Sequence, residues 1–160
     1  MGVIKINFDA ATNKHQQYGS IAAFARDHHS LLCGWLCRRI VGISDPLVLE
    51  SLAYREALLL AKAKGFSNVV IEGDSQVPIQ AIEGSTIAVE IQGILHDIHH
   101  LSRMFLHIDF SLVRRECNQA AHSLASKALR DPSFLCNPLA QRFFLYLLLY
   151  PLRGFNIICL

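Results

Sequence analysis

The sequence predicts a single α/β domain in which a mixed β-sheet carries helices on its faces. Two patterns point to this class. Three strand-like segments follow one another across short polar turns, which is typical of an antiparallel meander. From residue 44 onward, helical and strand-like patterns alternate, which is typical of parallel crossover connections. The length of 160 residues also fits one domain.

The meander occupies the N-terminal part of the chain. Residues 3–9 are β-branched and aromatic with alternating polarity, so we expect the first strand there. A polar turn over 13–17 leads to a second strand over 19–27, and a turn over 28–30 leads to a third over 31–43. The first strand is therefore expected to end at Asp9.

The second half is predicted to combine helices and parallel strands. Asp45 is predicted to cap the first long helix, and Gly65 is predicted to end it. Pro46 follows the cap directly and is tolerated in the first helical turn. Asn118 is expected to cap the last helix. The elements, in chain order, are a helix over 47–64, a strand over 68–72, helices over 75–82 and 88–104, a strand over 106–113 and a helix over 118–129.

Composition divides the chain at about residue 130. The net charge of +2 excludes a highly basic nucleic-acid-binding tail, and 52% hydrophobic residues argue against disorder. Residues 131–160 carry only three charged residues and 19 apolar ones. We therefore expect a domain over 1–130 and an apolar C-terminal extension over 131–160, helical or poorly ordered.

Targeting signals are not evident in the sequence. Lys5 and Asp9 interrupt any apolar signal-peptide core, and the five scattered cysteines do not suggest a secreted disulfide framework. No apolar run reaches the roughly 18 residues of a spanning helix. The expectation is an intracellular protein, nuclear or cytoplasmic and not secreted, that is monomeric and has no membrane partner.

Three acidic residues occur where the predicted elements meet. Asp9 ends the first strand, Asp74 follows the fourth, and Glu50 lies in the first turn of the long helix on a face lined with alanines. Carboxylates grouped in this way are typical of a site for a hard cation with oxygen ligands. The alternative is that the aspartates cap turns or helices and that Glu50 complements the helix dipole.

The same residues belong to motifs that resemble the plant ribonuclease H-like domain, the reverse-transcriptase-like family related to type 1 ribonucleases H. The matching segments cover about 125 residues in order and spacing, and they are Ile6-Asn7-Phe8-Asp9, Ala25-Arg26-Asp27, residues 44–58, residues 65–75 and residues 115–125. The resemblance implies a five-stranded mixed sheet of order 3-2-1-4-5. It also implies hydrolysis of the RNA strand of an RNA–DNA hybrid.

The resemblance assigns the catalytic acids to Asp9, Glu50 and Asp74, which would hold Mg²⁺, and the fourth site residue to His122. The family has an acid at that fourth position, so the histidine removes one negative charge from the site. Because Mg²⁺ prefers oxygen ligands and Mn²⁺ accepts nitrogen more readily, we expect weaker occupancy of a second metal and slow, lost or Mn²⁺-shifted catalysis.

Nucleic-acid contacts are assigned to basic and polar residues on the third strand and near the last helix: Arg38, Arg39, Arg114, Arg115 and Asn118. Phosphate contact and a solvated surface are equally good explanations of the arginines. Trp35 and Tyr54 have rings able to stack on bases, but core packing is favoured for both.

Two alternatives to an active enzyme stay open. One is a catalytically weakened module that still binds nucleic acid, and the other is a fragment derived from a retroelement. For the tail, a docked helix competes with a membrane or partner surface and with sequence from an altered reading frame. The last two are favoured because residues 139–150 show no clean polar stripe.

Overall fold

A computed structural model describes residues 2–84 and 88–149 of the chain. The strands are β1 (Ile4–Asn13), β2 (Tyr18–Arg26), β3 (Leu32–Val41), β4 (Asn68–Gly73) and β5 (His107–Leu112). The helices are α1 (Pro46–Ala63), α2 (Gln76–Ile82), α3 (Gln92–Ser102), α4 (Gln119–Arg130), α5 (Pro132–Leu135) and α6 (Pro138–Leu149), with 3₁₀ turns at Val89–Ile91 and Arg115–Asn118.

The five strands form one mixed sheet of order β3-β2-β1-β4-β5. The three N-terminal strands pair antiparallel, whereas β4 pairs parallel with both β1 and β5. The predicted α/β class and the strand order implied by the resemblance are confirmed. The central position of β1 places Asp9 in the interior of the molecule.

The predicted end of β1 at Asp9 is wrong. The strand continues to Asn13, because every residue from Lys5 to Asn13 has a partner on β2. The segment after Asp9 has weak strand character by itself, and pairing with β2 supplies the stabilisation that local propensity lacks. The helix predicted over 88–104 is also divided, into a 3₁₀ turn and α3.

Helices cover both faces of the sheet. On one face, α1 buries Ala53, Ala57 and Ala61, whose small side chains let the helix backbone approach the strands. On the other face, α4 packs its buried alanines and Leu124 against Ala22 and Phe24 of β2. Because side chains alternate along a strand, Asn7 and Asp9 lie on the α4 face, as do their β2 partners Phe24 and Ala22.

The C-terminal extension packs on the domain as far as residue 149. This part of the tail is therefore the docked helix, the alternative that the sequence pattern did not favour. Phe134 of α5 and Leu145 of α6 are buried in the same cluster as the core of α4. The Trp35 indole donates a hydrogen bond to Gln141 Oε1 at 3.3 Å. The remainder of the tail, 150–160, lies outside the described residues. Among the described helices, none has both the length and the apolar character needed to cross a bilayer.

Candidate active site

Asp9 and Asp74 share one end of the sheet through strand register. The parallel pairing of β1 with β4 ends at Asn7 and Glu72, and each aspartate lies two residues beyond that last pair. Neighbouring strands are about 4.8 Å apart, so the two carboxylates are close in space. Asp9 is 3% exposed, and the negative charge of Asp74 is one of the causes that raise the pKa of Asp9.

Glu50 reaches the same place from α1. Its carboxyl lies near that of Asp9, and the interaction between the two side chains raises the pKa of Glu50. Its Oε2 is buried and has no hydrogen-bond partner among the described residues. Burial is the main cause that raises the pKa of Glu50 to about 9, and the charges of Asp9 and Asp74 add to it.

His122 projects from the first turns of α4 onto Asp9. Its Nδ1 lies 2.8 Å from Asp9 Oδ2, and this contact lowers the pKa of Asp9 against the larger effect of burial. Arg115 lies on the outer side of the ring, with Nη2 3.4 Å from both ring nitrogens. The fourth residue that the resemblance assigns is therefore in contact with the first.

Asn118 connects the two aspartates through the backbone of β1. It is fully buried, and its Nδ2 donates to the Phe8 carbonyl at 2.8 Å and to Asp74 Oδ1 at 3.0 Å. Its Oδ1 accepts from Asn7 Nδ2 at 3.2 Å. Asn118 is the N-cap residue of α4, as predicted, but these long-range bonds occupy its side chain and no side-chain cap bond forms. A fully buried side chain is also unavailable as a nucleic-acid contact, so Asn118 holds Asp74 in place instead.

Asn7 lies in the first matching motif, but its bond to Asn118 was not predicted. It is fully buried in β1 beside two core residues, and its Oδ1 has no partner among the described residues. A polar residue between Ile6 and Phe8 on a central strand is the signal in the sequence that points to it.

The donor set fits a hard divalent cation. The three carboxylates interact with one another, and burial, followed by their mutual repulsion, raises the pKa values of Asp9 and Glu50. The unpartnered oxygen of Glu50 is the type of ligand that Mg²⁺ prefers. Within residues 2–84 and 88–149, however, no three acidic, histidine or cysteine side chains are already arranged to hold one ion.

The arginines assigned to nucleic acid lie in different environments. Arg38 forms a 3.1 Å ion pair with the buried Glu56 on the α1 face, and the Arg39 guanidinium lies 3.6 Å from the centre of the Tyr18 ring. Both are on β3, two strands away from β1. Arg114 and Arg115 are exposed next to the 3₁₀ turn that precedes α4. Of the four, Arg115 contacts a residue of the candidate site.

Of the two rings considered for stacking, Tyr54 is fully buried. It packs between Phe8 and Phe110, with ring centroids 4.8 and 5.3 Å away. It belongs to the core and is unavailable to a base. Trp35 is half-buried beside α6.

Comparison with known proteins supports the architecture. The family model for reverse transcriptase-like proteins matches residues 7–128. A search of curated proteins found no significant match. Among solved structures, ribonuclease H1 of the halophilic archaeon Halobacterium salinarum superposes with a TM-score of 0.74 at 20% identity, covering 79% of this chain and 97% of that one.

Two further solved structures are similar. The N-terminal ribonuclease H domain of a Mycobacterium tuberculosis protein gives a TM-score of 0.73 at 19% identity, covering 80% of this chain and 94% of that one. LC11 ribonuclease H1 in complex with an RNA/DNA hybrid gives 0.70 at 18% identity, covering 79% and 96%. The chain therefore has the ribonuclease H-like fold.

Proposed function

Because the chain belongs to the reverse transcriptase-like family, we propose that it binds nucleic acid and hydrolyses the RNA strand of RNA–DNA hybrids with the help of a divalent metal ion. The observation that carries this proposal is the meeting of Glu50, Asp74 and His122 at the buried Asp9. A cluster of acids with perturbed pKa values at one end of a sheet is typical of catalytic sites. The hybrid bound to LC11 ribonuclease H1 supports the choice of substrate.

In the proposed reaction, water adds to the phosphorus of the RNA backbone and the bond from phosphorus to O3′ breaks. The departing O3′ takes a proton, so the products are a 3′-hydroxyl and a 5′-phosphate. Asp9, Glu50 and Asp74 would hold the cation, Mg²⁺ or Mn²⁺. A divalent cation in such a site supplies activation of the water and stabilisation of the leaving oxygen.

The protein's own residues have separate tasks in this reaction. Asn118 holds the carboxylate of Asp74 in a fixed orientation, since its two donated bonds tie that group to the backbone of β1. The His122 imidazole contacts Asp9 directly, with Nδ1 2.8 Å from Oδ2, and so holds one oxygen of that carboxylate in place. Arg115 keeps a positive charge beside the ring, where phosphate oxygens would approach.

The test is cleavage of a labelled RNA–DNA hybrid in Mg²⁺ and, separately, in Mn²⁺. We expect cleavage of the RNA strand that is abolished by Asp9→Asn, because the variant removes the carboxylate that the other site residues share. Asp109→Asn, on β5, is the matched control and should cleave normally. Cleavage that survives Asp9→Asn would show that the site is wrongly assigned.

A second candidate function is a binding module with weak or no turnover. It is favoured by His122, which contacts one oxygen of Asp9 and stands where the family has an acid. Hybrid that is bound but not cleaved in either metal would select this candidate.

A further inference from the structure

A groove runs beside the candidate site along the exposed side of α4. Its floor includes Ala10 and Ala11 of β1, which follow Asp9 directly, and its volume is about 510 Å³. His122 and Ser126 form part of its wall, and Arg115 and Arg130 also line it. The small alanine side chains keep the floor open, and the groove begins at the site residue His122.

The charge in this groove is positive and uncompensated. No acidic residue occurs among the described residues that line it. Neither Arg115 nor Arg130 forms an ion pair with another described residue, and Arg130 donates from Nε to the Ser126 carbonyl at 3.1 Å. Lys127 on the same helix is different, because Asp131 lies 3.0 Å from its ammonium group. The two arginines are therefore available to an anionic ligand.

The spacing along α4 gives the groove a direction. His122, Ser126 and Arg130 are four residues apart, so they share one helix face. Eight residues of α-helix span about 12 Å. One phosphate group is too small to contact both ends of such a groove. A chain of linked phosphates is long enough to contact both.

We propose that this groove binds the sugar–phosphate backbone of a nucleic-acid strand beyond the phosphodiester at the candidate site. Because Arg130 lies about 12 Å along α4 from His122, it contacts a different phosphate from the one at the site. Arg115 contacts the backbone near His122. This inference rests on the proposed function, in that the ligand is the nucleic acid on which the site acts.

The experiment measures binding without cleavage. A fluorescent RNA–DNA hybrid longer than one helical turn (roughly 10 base pairs) is titrated with the Asp9→Asn protein in EDTA, across salt concentrations from about 50 to about 200 mM. Arg130→Gln is expected to reduce the slope of log K against log salt by about 0.9, the value for one lost phosphate contact. Affinity at low salt should fall by up to about fivefold.

Two further variants in the same Asp9→Asn background make the result specific. Arg130→Lys keeps the positive charge and should retain most of the slope. Arg103→Gln is the matched control, because this exposed arginine lies far from the candidate site. It precedes β5, and the first residue of β5 pairs with the start of β4, at the opposite end of the sheet from Asp74. This control should bind like the Asp9→Asn parent.

The outcomes separate the two proposals. If the parent binds hybrid and Arg130→Gln has the same slope and affinity as Arg103→Gln, the groove does not bind the strand, and the proposed function is unaffected. If the parent does not bind hybrid at any salt concentration, nucleic-acid binding fails, and the groove proposal fails with it. A reduced slope in Arg130→Gln alone supports the groove.

Discussion

Replacing Glu50 by glutamine is expected to stabilise the metal-free protein at neutral pH. Burial and the neighbouring aspartates raise the pKa of Glu50 to about 9 from an ordinary value of 4.5. The group is therefore protonated in the folded protein at pH 7 but ionised in the unfolded chain. Stability from this group is fully present below pH 4.5 and is lost progressively as the pH rises towards 9.

The size of the effect follows from this pKa difference. Neutral pH lies about 2.5 pH units above 4.5, and each unit corresponds to about 1.4 kcal/mol. Glu50 therefore lowers the free energy of unfolding at pH 7 by up to about 3.5 kcal/mol. Glutamine has a similar shape and does not ionise, so Glu50→Gln should recover up to that amount, equivalent to a Tm increase of roughly 7–14 °C for a chain of this size.

The assay is thermal unfolding followed by circular dichroism in EDTA between pH 5 and pH 8.5. The Tm difference between Glu50→Gln and the parent should be small at pH 5 and increase with pH. Glu90→Gln, at an exposed position of a 3₁₀ turn, is the matched control and should follow the parent. Saturating Mg²⁺ should raise the Tm of the parent but not that of Glu50→Gln, because the cation offsets the repulsion among the carboxylates.

A Tm difference between Glu50→Gln and the parent that stays constant across this pH range would refute the reasoning. So would a Glu50→Gln protein that is less stable than the parent at pH 7 and above. Either result would mean that the carboxyl of Glu50 is not held in an unfavourable, uncompensated position.

Three other substitutions test the packing that supports the site. Asn118→Ala should lower the free energy of unfolding by roughly 2–4 kcal/mol, because it leaves the buried Phe8 carbonyl and the buried Asn7 amide without their partner. Exposed Gln119→Ala should change it little in a urea titration. Gly73→Ala should lower the free energy of unfolding by about 1–3 kcal/mol in the same titration, since the added Cβ would overlap a buried phenylalanine ring of β1. The control Gly93→Ala, in open space on α3, should raise the free energy of unfolding by about 0.5–1 kcal/mol. Leu145→Ala should cost about 2–5 kcal/mol and change the fluorescence of the single tryptophan beside α6; an unchanged spectrum and Tm would contradict docking of that helix.

The order of the elements was predictable because hydrophobic periodicity and turn residues are local signals. Asp45 does cap α1, with its side chain accepting a bond from the Val48 amide at 3.0 Å. The end of β1 was not predictable in this way, because the segment from Ala10 to Asn13 is a strand only through its pairing with β2. Local propensity carries no information about a partner strand.

The proximity of the candidate site residues was predictable, but their bonds were not. The resemblance assigned Asp9, Glu50, Asp74 and His122 to one site, and the structure brings these side chains close together, while their catalytic roles stay a prediction. The role of Asn118 was missed because a local rule, helix capping, competes with three bonds to residues far away in sequence. Such a competition is decided by burial, which a sequence pattern does not reveal.

The docked tail shows the same limit. Helix α6 has no clean polar stripe, so its amphipathicity predicts no contact surface. Its docking depends on the bond between Trp35 and Gln141, which are 106 residues apart, and on the packing of Leu145 beneath it. Neither contact has a signature in the local sequence.

The most direct test of the account is the position of a bound cation. Crystals of the protein soaked in Mn²⁺ should show an anomalous-scattering peak bounded by carboxylate oxygens of Asp9, Glu50 and Asp74, and crystals of Asp9→Asn should not. A peak at any other place in the parent, or no peak at saturating Mn²⁺, would contradict the claim that these three residues form the metal site of a nuclease.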